Sequence, residues 1–110
     1  MAHHDFGILA THEERSDAYF PYTPEKFGCI RVDMDVIDAC DLFSELQDLP
    51  TYIQRISRPA QGFDEAGITL IPPGSLPRLH RAAAQHGLTA LAALACRAEQ
   101  MGCFVIHFGI

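Results

Sequence analysis

The 110-residue sequence has no tryptophan, a single lysine (Lys26) and no CxxC pair among its four cysteines. Each shortage narrows the reading. Basic residues neither cluster nor interleave with aromatics, so direct nucleic-acid binding is not expected. Cys29, Cys40, Cys96 and Cys103 are scattered among apolar neighbours, the pattern of buried free thiols rather than of disulfides or a zinc site. No stretch approaches the ~20 apolar residues needed to span a bilayer, and the start has no apolar signal core. No membrane association and a cytoplasmic location are therefore expected. Gly67, Gly74 and Gly87 stand alone, so no glycine-rich phosphate loop is formed, and no GxSxG elbow occurs. His12-Glu13-Glu14 lacks the second histidine of a zinc helix. No cofactor and no metal are expected, and the chain is not read as an enzyme.

What the sequence does have is one block of negative charge. From Val32 to Gln54 there are six carboxylates and no Lys or Arg: Asp33, Asp35, Asp38, Asp41, Glu45 and Asp48. The charges of the two flanks cancel, so this block accounts for the whole net charge of −6. Concentrated charge of one sign speeds association with the opposite sign and repels nucleic acid and anionic lipid.

Length and an apolar content of 48% predict one folded domain over residues 1–110. Residues 1–4 read as a tag-like or disordered leader without a role. Phe6-Gly7-Ile8-Leu9 predicts a short strand, and residues 10–25, with Pro21 and Pro24, a loop. Phe27 to Val32 predicts another strand. Asp33 or Asp35 is then placed to cap a helix. At about 100° per residue, Val36, Ala39, Cys40, Leu42, Phe43 and Leu46 share one arc. Asp38, Asp41, Glu45 and Asp48 share the opposite one, Ile37 lies at the border, and Pro50 ends the helix. Thr51 to Ser57 leans to strand and Arg58 to Gly62 to a turn. Gly67 to Ile71 is a strand stopped by Pro72-Pro73. Ser75 is the expected cap of a helix from Leu76 to Gln85, broken by Gly87. Thr89 is the expected cap of another, whose Leu91, Leu94, Ala95, Ala98 and Met101 share a face and which Gly102 closes. Cys103 to Ile110 is apolar on both faces, as in a central, covered strand. The expected class is α+β: a small mixed sheet with a buried C-terminal strand, packed by about three helices.

Two further clusters bear on chemistry. Ile30-Arg31-Val32-Asp33-Met34-Asp35-Val36 resembles the first motif of haloacid-dehalogenase-type phosphotransferases. That resemblance implies a Mg²⁺ site with Asp33 as nucleophile and Asp35 as proton handler. The family's downstream lysine has no counterpart, and after Glu65 only Glu99 remains to serve as its late acidic pair. His80 and His86 fall on different helix faces. His107 reads as a core histidine; a pairing with Cys29 from a neighbouring strand is the alternative, since Cys103 on its own strand lies too far away.

Tyr22-Thr23-Pro24-Glu25-Lys26-Phe27-Gly28-Cys29-Ile30, Gly67-Ile68-Thr69-Leu70-Ile71-Pro72-Pro73 and the ending Phe104-Val105-Ile106-His107-Phe108-Gly109-Ile110 resemble small acidic bacterial proteins encoded beside contact-dependent growth-inhibition or other polymorphic toxins. The resemblance implies an immunity (antitoxin) protein that neutralises a cognate basic toxin domain. A nuclease is the favoured toxin, because its cleft must itself attract phosphate. The expected contact residues are Asp33, Asp35, Asp38, Asp41, Glu45 and Asp48, with Tyr19, Tyr22 and Tyr52 as anchors. The alternatives are a small Mg²⁺-dependent phosphatase using Asp33 and Asp35, or a self-associating subunit that forms a homodimer through its C-terminal strand.

Overall fold

The strand expected at the end of the sequence lies in the middle of a sheet. The computed structural model describes residues 3–9, 24–54 and 58–109. Among them β1 (His3–Leu9), β2 (Ile30–Asp33), β3 (Pro50–Ile53), β4 (Pro59–Gln61), β5 (Ile68–Ile71) and β6 (Phe104–Phe108) form one sheet in the order β2-β1-β6-β5-β3-β4. All pairings are antiparallel, so the expected mixed sheet is antiparallel throughout. Four α-helices accompany it: α1 (Met34–Cys40), α2 (Leu42–Glu45), α3 (Leu76–Gln85) and α4 (Thr89–Met101). The class is α+β, as the sequence predicts.

The helices all pack on one face. There Phe6, Ile71 and Val105 of the sheet meet Ile37, Leu42, Phe43 and Leu46 of the α1–α2 stretch and Leu76, Leu79, Leu91, Leu94, Ala95 and Ala98 of α3 and α4. The opposite face carries a second core of Leu9, Ile68, Leu70, Ile106 and Phe108, with Phe27, Cys29, Tyr52 and Phe104 against it. Two buried faces explain why β5 and β6 read as near-continuous apolar runs. Because β6 has β1 on one side and β5 on the other, it has no free edge along which a second copy could add a strand. The outer strands of the sheet are β2 and β4.

Several local expectations change. The single amphipathic helix after Asp33 is two short ones, broken at Asp41, whose backbone is left-handed (φ 56°). The physical reason is phase. Ile37 and Leu42 both face the core, yet on one unbroken helix they would stand about 140° apart. A left-handed residue resets the phase, and aspartate tolerates that conformation better than most. Ile37, the expected border residue, is consequently buried, while Val36 is 42% exposed. Arg58 to Gly62 is not a turn, since Pro59–Gln61 is β4; its proline is accommodated on an outermost strand. The Phe27–Val32 strand begins only at Ile30, because Pro24–Phe27 forms a 3₁₀ turn and Gly28 (φ 60°) redirects the chain.

Ser75 precedes α3 but does not cap it; its hydroxyl donates instead to the Pro50 carbonyl (2.6 Å). Leu88, not Thr89, holds the cap position of α4, and Met101, expected on the inner face, is 54% exposed at the helix's last turn. Gly102 (φ 66°) closes that helix as expected. Gly7 permits a close approach: a methyl group there would stand 2.7 Å from the Cys29 sulfur and 2.8 Å from Phe27 Cβ. Residues 10–23 and 55–57 lie outside the described residues, and with them most of the expected loop and the second half of the Thr51–Ser57 stretch.

Candidate functional site

The acidic block begins at the end of edge strand β2. Asp33 precedes α1 without a side-chain cap bond, Asp35 occupies the first turn, and Asp38 and Asp41 follow. All four side chains are exposed. Among the described residues no ion pair reaches any of them. Asp48 differs. Arg78 of α3 donates to it at 2.8 Å, and that bond and charge hold its carboxyl below the ordinary carboxylate range. Glu45 stands 3.4 Å from the His86 ring, an ion pair only when that histidine is protonated. The helical hairpin thus supplies its own partners to the far end of the block. Among the described residues the unpaired part of the block is Asp33, Asp35, Asp38 and Asp41, carried by a strand end, a short helix and a left-handed turn.

Of the expected anchors, Tyr52 is half-buried against Phe104 on the second core (6.1 Å between rings), on the sheet side away from the helices. Tyr19 and Tyr22 lie outside the described residues. Asp33 and Asp35 flank the β2–α1 junction. Among the described residues, however, no group of three His, Cys, Asp or Glu side chains is placed to hold a metal ion.

The four cysteines are free thiols, and each is half-buried where full burial was expected. Cys29 lies on the second core, whereas His107 projects to the helix-covered face, so the sheet separates the two. Burial, reinforced by the negative charges of Asp5 and Glu25, pushes the Cys29 thiol up to about 12, leaving it protonated at neutral pH. Cys29 borders a cleft of about 520 Å³ lined also by Asp5, Glu25, Gly28 and Arg31. Asp5 is nearly inaccessible there, 3.4 Å from Arg31 on β2 and 3.3 Å from His3. The Asp5–Arg31 pair is a direct cross-strand neighbour pair, which fixes β2 against β1.

Sequence reasoning missed a buried polar line on the helix side of the sheet. His4, assigned to a leader without a role, is fully buried in β1 and hydrogen-bonds His107 at 2.8 Å. His107 in turn lies 3.3 Å from the Thr69 hydroxyl, its opposite number on β5. Burial lowers the pKa of both rings, that of His107 well below the usual histidine value, with the charge of His4 opposing it further. Alternation was the available signal, because His4 shares a strand face with Phe6. The partner that makes its burial tolerable, His107, stands 103 residues away.

No protein-family model, curated protein or solved structure matches the chain. Among the described residues no helix is long and apolar enough to cross a membrane.

Proposed function

We propose that the chain is a binding protein of the immunity type, which neutralises a basic toxin domain by laying the Asp33–Asp41 patch over its cationic cleft. The observation that supports this reading is the exposure of Asp33, Asp35, Asp38 and Asp41, with no ion pair among the described residues reaching any of them. Surfaces that need only solubility mix their charge signs. Like charges three apart on a short helix oppose its formation, and the pattern becomes favourable when a positive surface meets it. A nuclease cleft is such a surface, since it must attract phosphate. Asp48 and Glu45 do not belong to the docking patch in this reading, because Arg78 and His86 already attend to them.

The test is genetic and then physical. The reading requires a large secreted protein with a basic C-terminal domain encoded beside the chain's own gene, and the chain is co-expressed with that domain. Growth should be restored by the wild type and not by a variant with Asp33, Asp35, Asp38 and Asp41 all changed to Asn. Affinity should fall by about tenfold or more in that variant, and its dependence on salt should flatten. Absence of a toxic neighbour, or an affinity within about twofold of wild type, would refute the reading.

A further inference from the structure

Three adjacent strands place Thr69, His107 and His4 in line beneath the helices. The Asp64 backbone N–H donates to Thr69 Oγ1 at 2.9 Å. Thr69 Oγ1 and His107 Nδ1 are 3.3 Å apart, and His107 Nε2 and His4 Nδ1 2.8 Å. The two imidazole rings are near-coplanar (23°) with centroids 5.0 Å apart, the geometry of nitrogens that point at one another end-on. His4 Nε2 is buried and has no partner among the described residues. Phe6, Phe43 and Phe63 pack their rings on the pair, and all three polar side chains of the line are inaccessible.

One proton fits between the two facing nitrogens, so the line has a direction. In the first arrangement Thr69 O–H donates to His107 Nδ1 and His107 Nε2–H donates to His4 Nδ1. One donor, His4 Nε2–H, is left without an acceptor. In the second, His4 Nδ1–H donates to His107 Nε2 and His107 Nδ1–H donates to Thr69 Oγ1. That leaves both the threonine proton and the bare His4 Nε2 unused. Fewer orphaned groups favour the first arrangement while both rings are neutral. A protonated His4 is compatible only with the second, because both its nitrogens must then donate.

We propose that the line is a proton-operated relay: uptake of one proton at His4 reverses the His4–His107 and His107–Thr69 hydrogen bonds and loosens the Asp64–Gly67 turn that Thr69 holds. The charged groups around His4 assign the proton to that ring. Burial opposes a cation on either ring, but at His4 Glu65 of the turn, Asp38 of α1 and Asp5 of β1 act against that penalty, with His3 of β1 adding to it, whereas at His107 the charge of His4 only adds to the burial. From α2 only the apolar Phe43 ring faces the pair, and from β5 the Thr69 hydroxyl. After reversal Thr69 Oγ1 receives two donors, and its own proton has lost its acceptor. The turn that it holds also supplies the Gly67 carbonyl that binds the Gly109 N–H (2.7 Å). Glu65 and Phe63 beside it line a surface cleft of about 220 Å³ together with Phe43, Gln47 and Gln61. A proton inside the sheet is thereby communicated to that cleft.

The test follows the ring nitrogens of His4 and His107 by nitrogen-15 NMR on the intact protein, from about pH 8 to about pH 5. Amide exchange is recorded alongside. At the upper end both rings should be neutral, with the His107 proton on Nε2. As His4 gains its charge, the His107 proton should move to Nδ1 with the same midpoint, and exchange at Asp64 and Gly67 should quicken by about tenfold or more. In His4→Gln, whose side-chain oxygen still accepts from His107 but takes no proton, both changes should vanish. A His107 tautomer that stays constant while His4 titrates would overturn the relay. So would an unchanged acid step in His4→Gln, or a wild type that unfolds globally before either ring is charged. Should His4→Gln fail to fold, the tautomer measurement on the wild type decides alone.

Discussion

Two ionisable regions lie on either side of α1 and obey opposite rules. On the rim, Asp33, Asp35, Asp38 and Asp41 are exposed to water and contribute little to the fold. Under the helices, His4 and His107 are held neutral by burial and are anchored by each other and by Thr69. The rim can change its charge without moving the core, whereas the buried pair cannot change its charge without moving something. The contrast separates what the molecule presents from what keeps it folded.

Breaking the core should have the largest effect. Phe108→Asp places a charge at a fully buried position between β1 and β5. The loss should exceed about 4 kcal/mol, which a marginally stable domain of this size does not survive. Circular dichroism of the purified variant would show the loss, and a native spectrum would contradict the two-core architecture. Next comes the histidine pair. His107→Leu leaves His4 with two unpaired nitrogens and should destabilise by about 1–3 kcal/mol in urea unfolding. The double variant His4→Leu, His107→Leu should cost clearly less than the two single changes together, because neither histidine is left facing a missing partner and only the Thr69 hydroxyl loses one.

The third effect is a slope with pH. Both histidines have lowered pKa values when folded, so below about pH 6.5 the unfolded chain binds protons that the folded chain refuses. Their contribution is complete above that pH and is lost progressively as pH falls below it. The urea midpoint should therefore decline between pH 7.5 and 5.5 in the wild type, and much less in the double leucine variant. The smallest effect on stability belongs to the rim. Changing Asp33, Asp35, Asp38 and Asp41 to Asn should leave the urea midpoint unchanged or raise it slightly, by relief of like charges, even as it removes binding to the basic partner. A large loss of stability would show that the patch serves the fold and not an interface.

Periodicity made much of this architecture readable. α3 has the bounds that its apolar spacing and Gly87 predict, and Phe104–Phe108 is the covered strand that its two apolar faces imply. The acidic residues are exposed where the helical pattern turned them outward. What periodicity missed has a common cause. The break at Asp41, the exposure of Val36 and the diversion of Ser75 to Pro50 each depend on a partner distant in sequence. Ile37 and Leu42 must both reach the same core, and Ser75 finds a carbonyl 25 residues away that outcompetes its own helix end. The Asp48–Arg78 pair shortened the candidate patch for the same reason, since it spans 30 residues.

The sequence by itself determined the charge, its confinement to one stretch, the single-domain size and the alternation that lays apolar residues on both faces of β5 and β6. Those properties are local, and neighbouring residues settle them. Tertiary structure alone decided which carboxylates pair among the described residues, which strands lie outermost in the sheet, and that His4 is a core residue. Each is settled by groups far apart in the chain, and a buried imidazole is tolerable only where folding brings it a partner.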